Sequence, residues 1–105
     1  MVFFETDVFT KQIVDLLPDD EYMRLQGKLV KHPRAGAVIQ GGGGIRKLRW
    51  AVEGSGKRGG IRVIYYHVAA DDSIFMLLAY SKTGKDDLTS QQKKILAKLV
   101  REQLL

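Results

Sequence analysis

The sequence predicts an α+β domain with a sheet covered by helices, on three observations. Two amphipathic helical segments stand near the amino terminus, three β-rich segments follow in the middle, and a capped amphipathic helix lies near the carboxyl end. Residues 2–4, Val-Phe-Phe, read as a short strand. Asp7 can cap the helix that follows, which carries Phe9, Ile13, Leu16 and Leu17 on one side and is stopped by Pro18. A second helix starts at Pro18, with Asp19, Asp20 and Glu21 complementing its dipole and Tyr22, Leu25 and Leu29 at helical spacing. Lys31 and His32 suit its carboxyl end, and Pro33 ends it. The acidic outer faces of both helices read as solvated.

Residues 35–44 are small and Gly-rich, with four consecutive glycines at 41–44, as in a connecting loop. Strands are expected at 45–52, 61–68 and 74–80, joined by connections short enough for an antiparallel meander. Thr89 with Gln92 three residues on forms a capping box, and Ile95, Leu96, Leu99 and Val100 share one face of the helix it starts. No repeat or boundary interrupts the 105 residues, so the reading is one domain, 1–105, in the order β-α-α-β-β-β-α.

With 45% hydrophobic residues the chain can form one modest core, and without cysteine it has neither disulfides nor thiolate chemistry. No basic leader and no membrane-length apolar run occur, which fits a cytoplasmic protein without a membrane partner. The net charge of +5 is unevenly spread: residues 1–25 carry −4, residues 26–68 carry +8 and residues 69–105 carry +1. Such clustering points to a polyanionic partner.

The segment IRKLRWAV shows strand alternation, Leu48, Trp50 and Val52 pointing one way and Lys47 and Arg49 the other. One face is then core and the opposite face cationic. Lys57 and Arg58 fall in the glycine-rich connection and Arg62 opens the next strand, so six basic residues, Arg46 included, lie between 46 and 62. Cations facing each other across strands are destabilising unless a ligand neutralises them, which favours a phosphate-binding surface.

GSGKRG at 54–59 formally matches the dinucleotide fingerprint Gly-x-Gly-x-x-Gly, but a strand pattern follows where the fingerprint needs a helix. A P-loop also fails, because Ala51 replaces its first glycine and Arg58 stands where Ser or Thr should bind magnesium. His32 and His67 lack neighbours at ligand spacing, so no metal site is expected, and His67 in an apolar strand reads first as structural. Tyr65, Tyr66 and Tyr80 read as core residues, any of which could stack on a base or donate a proton if it faced the cationic side.

The segment GGGGIRKLRWAVEGSGKRGGIRVIYYH, followed by LLAYSK, resembles the RelE/HigB superfamily of type II toxin-antitoxin toxins. The Gly-Lys-Arg-Gly-Gly hairpin and the carboxyl-terminal helix are similar to its HigB branch. The resemblance implies a RelE-like fold and a ribosome-dependent endoribonuclease, an mRNA interferase, that needs no metal or cofactor. In such enzymes a ribose 2′-hydroxyl attacks the adjacent phosphate, so in-line positioning and charge stabilisation are required. It implies that Lys47 and Arg49 are the basic strand positions and Arg62 the sheet arginine. Arg62 is expected to stabilise the phosphorane, with Arg46, Arg49, Lys57, Arg58 and His67 contacting RNA. Lys47 is the candidate base, since neighbouring cations would lower its pKa. Thr83 follows Lys82 where many relatives have a second arginine, and GKDDLT lacks the family's late tyrosine or histidine, so Tyr80, Lys82 and His67 all stand as candidate acids.

The implied partners are messenger RNA on the ribosome and a tightly bound, helix-turn-helix antitoxin, with DNA contacted only through the antitoxin complex. Two rival readings stand beside this one, the first sharing the fold without needing the catalytic basic set and the second using the same hairpin. A ParE-like toxin would act on DNA gyrase, and a non-catalytic RNA-binding module would contact phosphates without cutting.

Overall fold

The computed structural model describes residues 1–52, 60–82 and 87–104, and the element order is β1 (Val2–Glu5), α1 (Asp7–Leu16), α2 (Asp19–Lys31), β2 (Ala37–Val38), β3 (Arg46–Trp50), β4 (Ile61–Val68), β5 (Ser73–Ser81) and α3 (Ser90–Leu99). A 3-10 turn, Ala69–Asp71, joins β4 to β5, and α3 runs on into a π-helical turn, Val100–Leu104. The mixed α+β architecture agrees with the expected one. The meander β3-β4-β5 is antiparallel throughout, as its short connections require.

Two strand pairings extend the expected sheet. Strand β1 lies parallel to β5 at one edge, and two residues of the expected loop, Ala37 and Val38, pair with β3 as β2 at the other. The sheet order is therefore β1-β5-β4-β3-β2. Thr6, rather than Asp7, is the N-cap of α1: its hydroxyl accepts from the Phe9 amide at 3.0 Å and donates to the Leu77 carbonyl at 2.8 Å. A threonine that caps the helix and also bonds the sheet satisfies more polar groups than Asp7 could. Pro18 precedes α2 as its N-cap, and the Thr89–Gln92 capping box opens α3 as expected.

Helices α1 and α2 pack Phe9, Ile13, Leu25 and Leu29 against Leu48, Val63, Tyr65, Ile74 and Met76 on one face of the sheet. Helix α3 packs Leu96, followed by Val100, against Ile45, Ile64 and Leu77 on the other. Each fully buried aliphatic or aromatic side chain here contributes about 1.5–3 kcal/mol by leaving water. The second face is thus only partly cationic: α3 covers one stretch of it, and the charged residues occupy the rest. Ile95, expected on the buried stripe of α3, is exposed, and Ala97 is buried in its place. A bulge in β5 makes this second core possible. Ile64 opposes Leu78 while Tyr65 opposes Met76, so Leu77 is inserted and both Leu77 and Leu78 turn toward α3.

Glu21 departs from the solvated reading of α2, being buried at 7% exposure with Arg24 and Trp50 as its partners. Tyr65 ties the loop after α2 to the sheet, since its hydroxyl donates to the Pro33 carbonyl at 2.8 Å and accepts from the Gly36 amide at 2.9 Å. Burial is the main cause that pushes its phenol above the ordinary tyrosine range. Tyr65→Phe leaves that amide and carbonyl without their partner, and urea unfolding should show a loss of about 1–3 kcal/mol. Among the described residues no helix is long and apolar enough to cross a membrane.

Candidate nucleic-acid interface

Strand alternation and register together assemble the site. Arg49 on β3 lies directly opposite Arg62 on β4, which in turn lies opposite Tyr80 on β5, so these side chains form one row across the sheet. The neighbouring row is Lys47, Ile64 and Leu78. Residues directly opposed across strands have Cβ atoms about 5 Å apart and share a face. Lys47, Arg49, Arg62 and Tyr80 therefore stand together on the α3 face of the sheet.

Arg62 is 3% exposed, with a guanidinium N–H directed to the Ile61 carbonyl at 3.3 Å, whereas Arg49 is exposed. A buried arginine opposite an exposed one places a held guanidinium beneath a more accessible cation, and guanidinium donors of this kind suit the oxygens of a phosphate. The two arginines line a cavity of about 450 Å³ together with Trp50, Val52, Gly60 and Lys82. Gly60 and Lys82 on its lining are joined by a backbone bond: the Lys82 amide donates to the Gly60 carbonyl at 3.2 Å, tying the start of β4 to the end of β5.

Next to it lies a second cavity of about 300 Å³, lined by Lys47, Arg49, Asp87, Leu88 and Lys93 and edged by β2. Here the Lys47 ammonium donates to the Asp87 carboxylate at 2.6 Å. That hydrogen bond, the attraction of Lys47 and weaker attraction from Lys93 and Arg49 hold the Asp87 carboxyl below the usual aspartate range. The pairing is complete at neutral pH and is lost as pH falls through that depressed value. A carboxyl-carbon NMR titration should place the Asp87 midpoint below that of an unpaired aspartate, and Lys47→Met should raise it. An unchanged midpoint in that variant would remove Lys47 as the cause.

The remaining expected residues separate into two groups. Arg46 opposes the core residue Tyr65 on the other face, where its guanidinium donates to the Gly36 carbonyl at 2.8 Å. His67 opposes Ile74 on that same face, and neither residue is brought to the Arg49–Arg62 row. Lys57 and Arg58 lie outside the described residues. Sequence reasoning missed Trp50, Asp87 and Lys93 at these cavities. Strand alternation assigned Trp50 to the core, and the contact between Lys47 and Asp87 spans 40 residues without a local signal. Among the described residues no three His, Asp or Glu side chains converge to hold a metal ion.

The fold and sequence both have relatives. The architecture matches a chain of the intact E. coli RelBE toxin-antitoxin complex, with a TM-score of 0.53 at 17% identity over 83% of this chain and 98% of that one. It also matches a mutant of E. coli toxin RelE in the free state, with a TM-score of 0.55 at 18% identity over 98% of this chain and 97% of that one. The family model for the RelE toxin of the RelE / RelB toxin-antitoxin system matches residues 4–104. With nearly the whole chain matched and the fold shared, the protein belongs to the RelE toxin family.

Proposed function

We propose that this toxin is a HigB-like, ribosome-dependent mRNA endoribonuclease that uses the Lys47–Arg49–Arg62 face to cut a phosphodiester. The observation that carries the reading is the row Arg49–Arg62–Tyr80, with Lys47 beside it and Lys82 on the same cavity as both arginines. Cations of the expected site that are separated by up to 15 residues in sequence share one face on a sheet of the toxin family's fold.

In the proposed reaction the ribose 2′-oxygen attacks the adjacent phosphorus and the bond to the 5′-oxygen breaks. The products are a 2′,3′-cyclic phosphate and a 5′-hydroxyl. Arg62 neutralises charge on the phosphorane from its buried, preorganised position, and Arg49 holds the backbone at the cavity mouth. Lys47 serves as base only as the neutral amine: it must first part from Asp87 and release its ammonium proton to water, after which the amine takes the 2′-proton. Tyr80 or Lys82 returns a proton to the leaving 5′-oxygen. Lys57 and Arg58 add backbone contacts from the connecting segment. No metal or cofactor has a part in this scheme.

The partner that silences the enzyme is a cognate antitoxin, in line with the toxin-antitoxin complex that holds a chain of similar fold. We expect it to be a helix-turn-helix protein that masks the cationic face and provides the complex's contact with DNA. Primer extension on translating ribosomes tests the activity directly. New message ends should appear within codons when the protein is added and disappear when the cognate antitoxin is added with it. Messages left intact at protein levels that arrest growth would overturn the reading.

A further inference from the structure

Trp50 is the chain's single tryptophan, and the scheme above gives it no role. It ends β3 opposite Ile61, half-buried against the α1–α2 core, and it also borders open space on two sides. On one side is the cavity of about 450 Å³ that holds Arg49, Arg62 and Lys82. On the other is a cavity of about 470 Å³, where Trp50 meets Arg24, Lys28 and Arg49. Both fall within the roughly 300–1,000 Å³ range of ligand clefts. Glu21, paired with Arg24, also lines this second cavity, and Arg49 borders both, so the indole stands beside the pair of arginines assigned to the scissile phosphate with Lys28 on its other side.

The indole is also fixed in place. Its Nε1–H donates to the Glu21 carboxylate at 3.1 Å, and the second oxygen of that carboxylate is held by Arg24. Glu21 is 7% exposed, and a carboxylate at that depth is costly unless it is paired. A core tryptophan held by packing needs no buried charge to orient it. A base platform gains from one, because stacking depends on the plane of the ring.

We propose that Trp50 is the base-stacking platform of the RNA cleft, receiving the nucleobase next to the phosphodiester gripped by Arg49 and Arg62, with Glu21 as its positioning residue. The ligand class is a single-stranded ribonucleotide segment, and purines, with the larger π face, are held more firmly than pyrimidines. The inference rests on the ribonuclease reading and adds a subsite to it.

The test uses ribosomes programmed with messages that differ only in the base beside the cut, a purine or a pyrimidine, and single-turnover cleavage by the full chain. The wild type should cut the purine message faster. Trp50→Leu keeps apolar bulk but removes the π face, and should lose about tenfold on the purine message together with the preference. Trp50→Phe should retain most of both. Glu21→Gln, whose amide oxygen can still accept from the indole, should keep the preference, and Glu21→Leu should lose part of it. Equal rates and equal preference for Trp50→Leu and Trp50→Phe would overturn the stacking role while leaving the ribonuclease intact. A wild type that cuts neither message would remove the ribonuclease reading and this inference with it.

Discussion

Replacing Arg62 with methionine is expected to lower message cleavage about a hundredfold or more while the chain stays folded. The side chain is 3% exposed and faces Arg49 across β3 and β4, so its charge is held in a place where water screens it poorly. A fixed cation of this kind stabilises charge that develops on a phosphorane without reorganising at the moment of reaction. Methionine keeps the length of the stem and removes the charge together with its repulsion of Arg49. The hydrogen bond to the Ile61 carbonyl is lost as well, so the comparison is made below the unfolding transition of the variant, with circular dichroism as the check that it is folded. Arg62→Lys should recover only part of the rate, since an ammonium lacks the planar fork that grips two phosphate oxygens. Full cleavage by the methionine variant would place the phosphate elsewhere.

The second large effect is expected at Gly60. Its φ is +66°, and a Cβ built there would lie 2.0 Å from the Trp50 carbonyl oxygen. An alanine must adopt a left-handed conformation and also push β3 away from β4 at the edge of the arginine cavity. Gly60→Ala should destabilise the chain by about 2–4 kcal/mol in urea unfolding. Cleavage should drop even under conditions where the variant is mostly folded, because Trp50, Arg62 and the Gly60–Lys82 backbone bond all move with this residue. A variant with wild-type stability would show that the strands can separate here at little cost.

How far the fold was legible in sequence follows the range of the interactions that specify each part. The Thr89–Gln92 box and the β4 segment are local patterns, and both appear where the residues place them. The alternation in β3 is also local, and it correctly separates Lys47 and Arg49 from Leu48. The parallel pairing of β1 with β5 joins residues about 70 apart, and a two-residue strand such as β2 has no periodicity to read. Within the site, counting the basic residues of the hairpin as one patch overlooked the pleat. Arg46 shares the parity of Leu48, and His67 that of Tyr65, so both belong to the α1–α2 face. Trp50 has core parity too, but as the last residue of its strand it also borders the cleft. Its hydrogen bond to Glu21 arises only when α2 is laid under β3.

The Arg49–Arg62 row gives the central claim its physical content: cations on one face of the sheet bring a ribose hydroxyl into line with its own phosphodiester. A message carrying a single 2′-deoxynucleotide at the mapped cut, presented on programmed ribosomes beside the all-ribo message, tests this most directly. The account predicts that the all-ribo message yields a 2′,3′-cyclic phosphate and that the deoxy message stays intact at that position. Cleavage of the deoxy message at the same bond and at a similar rate would contradict it.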